Sequence, residues 1–296
     1  MPDIVYQWPK AVKLYPDRGA KSYKLKRLRY SLRSLLHRRK IRHFTHFANN
    51  HADLAALLNQ RPDYSYPIAH RFLDKRFNST QRLQAVCDNL LFLPNKFAEL
   101  GLPPLWQQEI CFGEVVTDFA LYLRLSDHQP MEGFWTLELC QQSTGELIYL
   151  LTFGKVQDAL LISVIQGPNI AGSKEIVKQL TKLCYGLRPA YLMVELMKML
   201  TTTLGYQKLC GIPQRYQNKS RWVQSKNFFV DYDAIFRESG GNLKHYWQLP
   251  VQLEPRDLNQ IESKKRSMYR KRYALLAQLQ QVIQARLMPS IYDDCT

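Results

Sequence analysis

The sequence predicts an α+β fold: a mixed sheet, built as an antiparallel meander followed by helices and further strands, with a basic helical region before it and a long helix after it. Three observations lead there. Before about residue 100, apolar residues recur at steps of three and four, the helical period. From about Glu109, short runs rich in Leu, Ile, Tyr, Phe and Val alternate with turn residues. Helical patterning then returns at Ser173 and closes the chain. The expected regions are a basic helical region over 1–100, an α/β core over 101–253, and a basic helix packed on the core with a short tail over 254–296. At 296 residues, 46% of them hydrophobic, the chain is long enough to bury a sizeable core.

The first region is the most basic. Between Ser22 and Phe47, Leu25, Leu28, Leu32 and Leu35 share one helix face, while Arg27, Arg33 and further cations populate the rest. Two readings of such a helix stay open. Its leucines pack on the main domain and its charges are solvated, or it lies on an anionic membrane with leucines at the acyl boundary and cations at the headgroups. HADLAALLNQ and TQRLQAVCDNLLFL predict further helices, with breaks at Asp63, Pro67 and the Phe77-Asn78-Ser79 stretch. Pro94, Gly101, Pro103 and Pro104 mark the expected transition to strands.

Phe119 to Leu125, Phe134 to Cys140, Glu146 to Thr152 and Ala159 to Ile165 read as strands at meander spacing. Trp135, Leu137 and Leu139 alternate with Thr136, Glu138 and Cys140, so one face is apolar and the other offers a carboxylate. Ser173 is the expected N-cap of an amphipathic helix. A second helix opens at Pro189 and stops at Gly205. A strand over YQKLCGIP, a helix from Asp231 to Ser239 closed by two glycines, a strand from His245 to Val251 and a helix from about Pro255 to Leu287 complete the expected order.

Composition narrows the function classes. A formal net charge of +16 favours polyanionic partners, whether nucleic acid, anionic lipid or acidic protein, without choosing among them, and the basic helices suit an anionic lipid surface or RNA. Sequence-specific nucleic-acid recognition ranks last, since the chain carries no helix-turn-helix or RNP signature. The six cysteines lack zinc or CxxC spacing, and the histidines lack H-E-x-x-H spacing, so no metal is expected. No apolar run is long enough for a membrane span or a signal-peptide core. Cytoplasmic residence, with peripheral contact at the inner membrane, is the expectation.

The loop Gln166-Gly167-Pro168-Asn169-Ile170-Ala171-Gly172-Ser173 leaves a strand and opens a helix. Free amides at a helix start suit a phosphate, and two glycines permit close approach. The spacing is neither a Walker A motif nor GxGxxG. An ordinary strand-to-helix loop is the competing reading.

The order of elements from Phe119 to Val251 resembles the acetyltransferase fold of the GNAT superfamily. That resemblance implies a GNAT-like core whose loop residues Gln166, Gly167, Ala171, Gly172 and Ser173 hold the pyrophosphate of an acyl-CoA. The family's glycine spacing is not reproduced, and the chain has one helix more than the family between these strands. Phe236 stands where the family often has a tyrosine general acid. Tyr232, one turn earlier, is the candidate substitute, because a phenol can protonate a thiolate. Glu138 and Glu195 are candidate bases. Burial of Tyr232 as a core aromatic and solvation of the two carboxylates are the structural alternatives.

The C-terminal helix carries Lys264, Lys265, Arg266, Arg270, Lys271 and Arg272 beside an expected apolar seam of Ile261, Met268, Leu275 and Val282. These cations are candidates for phosphate or membrane contact. YGLRPAYLMVELMKML, SKNFFVDYDAIFRESGG and above all IESKKRSMYRKRYALL, with LELCQQSTGELIYLLTF and LLISVIQG, resemble the VirK/YbjX family of bacterial proteins over roughly Arg29 to Leu287. The resemblance implies a Gram-negative source and an envelope-related role, in virulence and tolerance of cationic antimicrobial peptides. It supplies no catalytic residues.

Overall fold

Branched and aromatic side chains alternating along short runs build the centre of the molecule. The computed structural model describes residues 4–17, 22–168, 172–218, 230–253, 255 and 257–288. Five strands form an antiparallel meander: β1 (Ile110–Val116), β2 (Phe119–Leu125), β3 (Trp135–Gln141), β4 (Leu147–Val156) and β5 (Ala159–Gln166). Three short strands extend it: β6 (Leu209–Gly211), β7 (Asn242–Leu243) and β8 (Trp247–Leu249). The order across the sheet is β1-β2-β3-β4-β5-β6-β8-β7. β6 runs parallel to β5, and the other neighbouring pairs are antiparallel. The fold is therefore α+β around an open, mostly antiparallel sheet of eight strands among the described residues.

Four meander strands match the runs read from the sequence. β1 and the two-residue β7 do not announce themselves; β1 is interrupted by Gly113 and by two register shifts. The expected outward face of β3 is not solvated either. Thr136, Glu138 and Cys140 are buried along with Trp135, Leu137 and Leu139. Both faces of the central strands are covered, which hydrophobic alternation alone does not reveal.

The N-terminal region folds as α1 (Ala11–Leu14), α2 (Lys24–Leu36), α3 (Arg38–Asn49), α4 (Ala52–Gln60), α5 (Tyr66–Ala69) and α6 (Ser79–Glu99). The basic stretch expected as one helix is split at His37. Asn78 and Gln81 form a reciprocal capping box at the start of α6. Pro94, expected at the transition, lies inside α6. It removes the amide that would bond the Leu90 carbonyl. The buried face of Val86, Leu90, Leu93 and Phe97 outweighs that loss, and the helix runs on to Glu99.

After the meander come α7 (Ser173–Leu183), α8 (Pro189–Thr203), α9 (Tyr232–Glu238) and α10 (Ser263–Leu287). Ser173 is the first helical residue of α7, not its N-cap. Gly172 caps it at φ 75°, a left-handed conformation that favours glycine. The buried residues of α10 are Leu276, Leu279, Ile283 and Leu287, not the expected seam. Steps of three and four follow a straight helix of 3.6 residues per turn, whereas a heptad seam drifts around it. Ile261 precedes the helix altogether.

α6 and α8 pack on β4, α8 also on β5, and α10 packs on α8 and β1. One cluster of buried side chains joins Phe44 and Leu58 of the N-terminal helices, the meander, α8, and Ile283 of α10.

Candidate functional site

α2 is amphipathic in the opposite sense from a core helix. Tyr30 is its buried residue, and its ring stacks on Trp8 at 6.1 Å while its hydroxyl donates to the Pro9 carbonyl at 2.8 Å. Arg27 donates to the Tyr15 carbonyl at 2.8 Å and pairs with Asp17 at 2.9 Å. Arg33 donates to the Tyr66 hydroxyl at 2.9 Å, and Ser34 accepts from Trp8 at 3.2 Å. Residues 27, 30, 33 and 34 thus fasten one face of α2 to the protein. Leu25, Leu28, Leu32, Leu35 and Leu36 lie on the other, keeping 53 to 80% of their exposure. Among the described residues these leucines do not pack on the core. Arg27 and Arg33, expected at an anionic surface, are structural, because an aromatic and carbonyl-rich pocket takes their donors. The exposed cations here are Lys24, Lys26, Arg29, Arg38, Arg39 and Arg42. No Asp or Glu occurs between Asp17 and Asp53. Eight of the nine exposed large apolar side chains among the described residues fall within the first 36 positions.

The loop after β5 is described in part. Ala171 lies outside the described residues, as do Asn169 and Ile170. Gln166 ends β5, and a Cβ on Gly167 would stand 3.1 Å from the Tyr149 hydroxyl. The Gly172 carbonyl accepts from Glu175 and Ile176, as a helix start requires. β5 and β6 pair at Leu160, Leu161 and Ile162 only. Beyond that point side chains take over the β5 edge: Gln217 donates to the Ser163 carbonyl at 3.3 Å, and the Tyr232 hydroxyl donates to the Ile165 carbonyl at 2.7 Å. Tyr232 is fully buried, and its pKa is raised because burial disfavours the phenolate. Phe236 packs so closely on Gly211 that a Cβ there would stand 2.6 Å from the ring. The gap between β5 and β6 is thus filled by α9 and does not fit a cofactor chain as it stands.

Glu138 sits elsewhere. It accepts from Arg124 at 3.1 Å and from the Thr136 hydroxyl at 3.0 Å. Arg124 also pairs with Glu109 at 2.6 Å and lies 4.0 Å over the Tyr122 ring. Glu138 is therefore a buried, fully engaged carboxylate rather than a solvated one.

Glu195 occupies a third place, a cleft between α8 and α10 with a volume of about 690 Å³. Arg188, at the N-cap of α8, and Tyr191, Glu195 and Lys198 within it line the cleft from that side. Spaced three, four and three apart, they form one polar stripe about 15 Å long at 1.5 Å per residue. Lys198, buried, donates to Glu195 at 2.8 Å and to the Ser239 carbonyl at 3.1 Å. Tyr191 donates to Glu238 at 2.6 Å, and burial and that carboxylate push its pKa up to about 12. The Ser239 hydroxyl, at the end of α9, is buried without a hydrogen-bond partner. Tyr269, Arg272, Tyr273 and Leu276 line the α10 side. The structure therefore does not bring Tyr232, Glu138 and Glu195 together; each has its own set of partners. Sequence reading missed Arg188, Tyr191, Lys198 and Ser239. The signal for the first three was a polar stripe at helical spacing running from the N-cap of α8 into the helix; Ser239 carried none.

The α10 cations divide. Lys264 and Lys265 stand 3.5 and 3.3 Å from Glu262. Arg266 donates to the carbonyls of Ile261 and Asn259. Arg272 gives two hydrogen bonds to the Tyr185 carbonyl, at 3.1 and 2.8 Å, and lies 4.3 Å over the Tyr269 ring. Arg270 and Lys271 are exposed.

A family model described as "Protein of unknown function (DUF535)" matches residues 19–285. A Haemophilus influenzae protein described as uncharacterized is 60% identical over 282 residues, 95% of this chain and 96% of the relative. "Membrane protein LapB" of Mannheimia haemolytica is 64% identical over 216 residues, 73% of this chain and 95% of the relative. YbjX of Escherichia coli is 23% identical over 273 residues, 86% of this chain and 81% of the relative. No solved structure matches the chain.

Proposed function

Because the chain belongs to the DUF535 family, one of whose relatives is named a membrane protein, we propose that it is a peripheral protein that docks on an anionic membrane surface through α2. The observation that supports this reading is the leucine face of α2, turned to solvent by the aromatic and arginine contacts on its back. Apolar side chains held outward in an acid-free, cationic stretch match an interfacial helix, which buries leucines at the acyl boundary and sets cations among anionic headgroups. Among the described residues no helix is long and apolar enough to cross a membrane, so surface docking is the mode the helices allow. We place the contact at the cytoplasmic face of the inner membrane, in keeping with the envelope-related role that the VirK/YbjX resemblance implies. RNA would use the cations and leave the leucines idle. Sedimentation of the full chain with phosphatidylglycerol vesicles, phosphatidylcholine vesicles and RNA, at low and high salt, is the test. Binding to the anionic vesicles that persists in part at high salt supports the reading. Binding to RNA alone, or to nothing at low salt, removes it.

A second reading, an acyl-CoA-dependent transferase, is favoured by one observation: a meander, a parallel crossover from β5 to β6, and a final antiparallel pair follow the GNAT-like order. It requires Tyr232 to leave Ile165 and α9 to move. Calorimetry with acetyl-CoA at millimolar concentration tests it, and silence there ends it.

A further inference from the structure

We infer that the cleft between α8 and α10 is a binding site for an anionic amphiphile, one acidic head group on an apolar tail. This stands whether or not α2 meets a membrane. At about 690 Å³ the cleft has the size of a small-ligand site. Its two acids are already answered: Glu195 by Lys198, and Glu238 by the Tyr191 hydroxyl. Three cations of the wall, Arg188, Lys198 and Arg272, outnumber those two carboxylates, so the cleft carries a net positive charge. Arg188 is exposed at the N-cap of α8, where no side chain caps the helix. Arg272 is held in place by the Tyr185 carbonyl and the Tyr269 ring. The amide end of α8 adds positive potential at the same mouth.

The remaining wall suits a tail. Leu187, Leu253, Leu276 and Pro250 line the cleft with the rings of Tyr269 and Tyr273. A buried hydroxyl without a partner is costly in a folded protein and calls for an explanation. Ser239 lines this cleft with its Oγ unpaired, and a ligand oxygen reaching it would supply the missing partner. A cationic amphiphile would add to a wall that is already positive, and a neutral one would leave that excess charge unmatched.

The test uses the full chain carrying Leu28→Glu and Leu32→Glu, which removes α2 as a competing apolar surface. Calorimetric titration is run with dodecanoate, dodecyl phosphate, dodecyltrimethylammonium and dodecyl maltoside, each below its micelle concentration. The expected result is one equivalent of dodecanoate or dodecyl phosphate bound, with no saturable binding of the other two. Which anion binds more tightly tells a carboxylate from a phosphate head. Ala277→Trp, pointing new bulk at the cleft from α10, is expected to weaken binding at least tenfold. Arg188→Gln, on an exposed side chain, is expected to do so by about tenfold. Absence of binding by both anions, equal binding of the maltoside, or unchanged affinity in folded Arg188→Gln and Ala277→Trp proteins would overturn the inference.

Discussion

Replacing Leu28 and Leu32 by glutamate separates membrane docking from every structural role of α2. The two leucines keep 56 and 53% of their exposure, so together they offer a membrane about one full leucine side chain. Burying that much is worth about 2 kcal/mol. Two carboxylates beside anionic headgroups add repulsion of about 1 kcal/mol each, the size of the attraction a cation gains there. The double substitution is expected to cost about 4 kcal/mol of partitioning, roughly a thousandfold at 1.4 kcal/mol per decade. Folding stability should shift by no more than about 0.5 kcal/mol, since neither side chain packs on the core. Flotation with phosphatidylglycerol vesicles reads the first quantity, and chemical denaturation the second. Leu243→Glu is the control: Leu243 is the one exposed large apolar side chain outside the first 36 positions among the described residues. If the double variant floats as well as the parent, or if Leu243→Glu loses as much, the leucine face is not the membrane contact.

Four further outcomes follow from the packing. Ser239→Ala removes an unpaired buried hydroxyl and should raise stability by about 1 kcal/mol in the absence of ligand; a loss of stability measured by denaturant titration would mean that the hydroxyl has a partner. Burial first, then Arg33 and Arg71, push the His70 pKa down to about 4 from an ordinary value near 6.5. The unfolded chain therefore takes up a proton between those values that the folded chain refuses. Stability is full above pH 6.5 and falls as pH drops toward 4, by about 1–2 kcal/mol once solvent screening of this partly exposed ring is allowed for; His70→Gln should flatten that slope. Gly154→Ala would set a Cβ 2.5 Å from Asn89 Oδ1 and 2.9 Å from Leu73, where Asn89 also bonds the Lys155 amide at 2.7 Å. A loss of about 1–3 kcal/mol in thermal or chemical unfolding is expected. Burial pushes the Cys184 thiol up to about 11, so a thiolate-directed reagent at pH 7.5 should spare it in the native protein and label it on unfolding, read by mass spectrometry.

The sequence by itself determined what depends on neighbours along the chain. The alternation in Phe119 to Leu125, the glycine stop at Gly205, the proline start at Pro189 and the acid-free run before Asp53 are local, and the strands, the α8 boundaries and the basic leucine helix could be read from them. Only the tertiary structure decided which side of that helix faces the protein, because the answer lies in Trp8, Tyr15 and Tyr66, residues remote in sequence that capture Tyr30, Arg27 and Arg33. The same holds for the candidate site. From sequence, Tyr232 fitted a proton donor or a core aromatic; the structure holds it, on α9, buried against Ile165. Glu195 gained meaning only when α10 came to lie across α8 and closed a cleft over its polar stripe. Periodicity records which residues share a face. What that face meets is set by long-range packing, whose partners no single stretch of sequence contains.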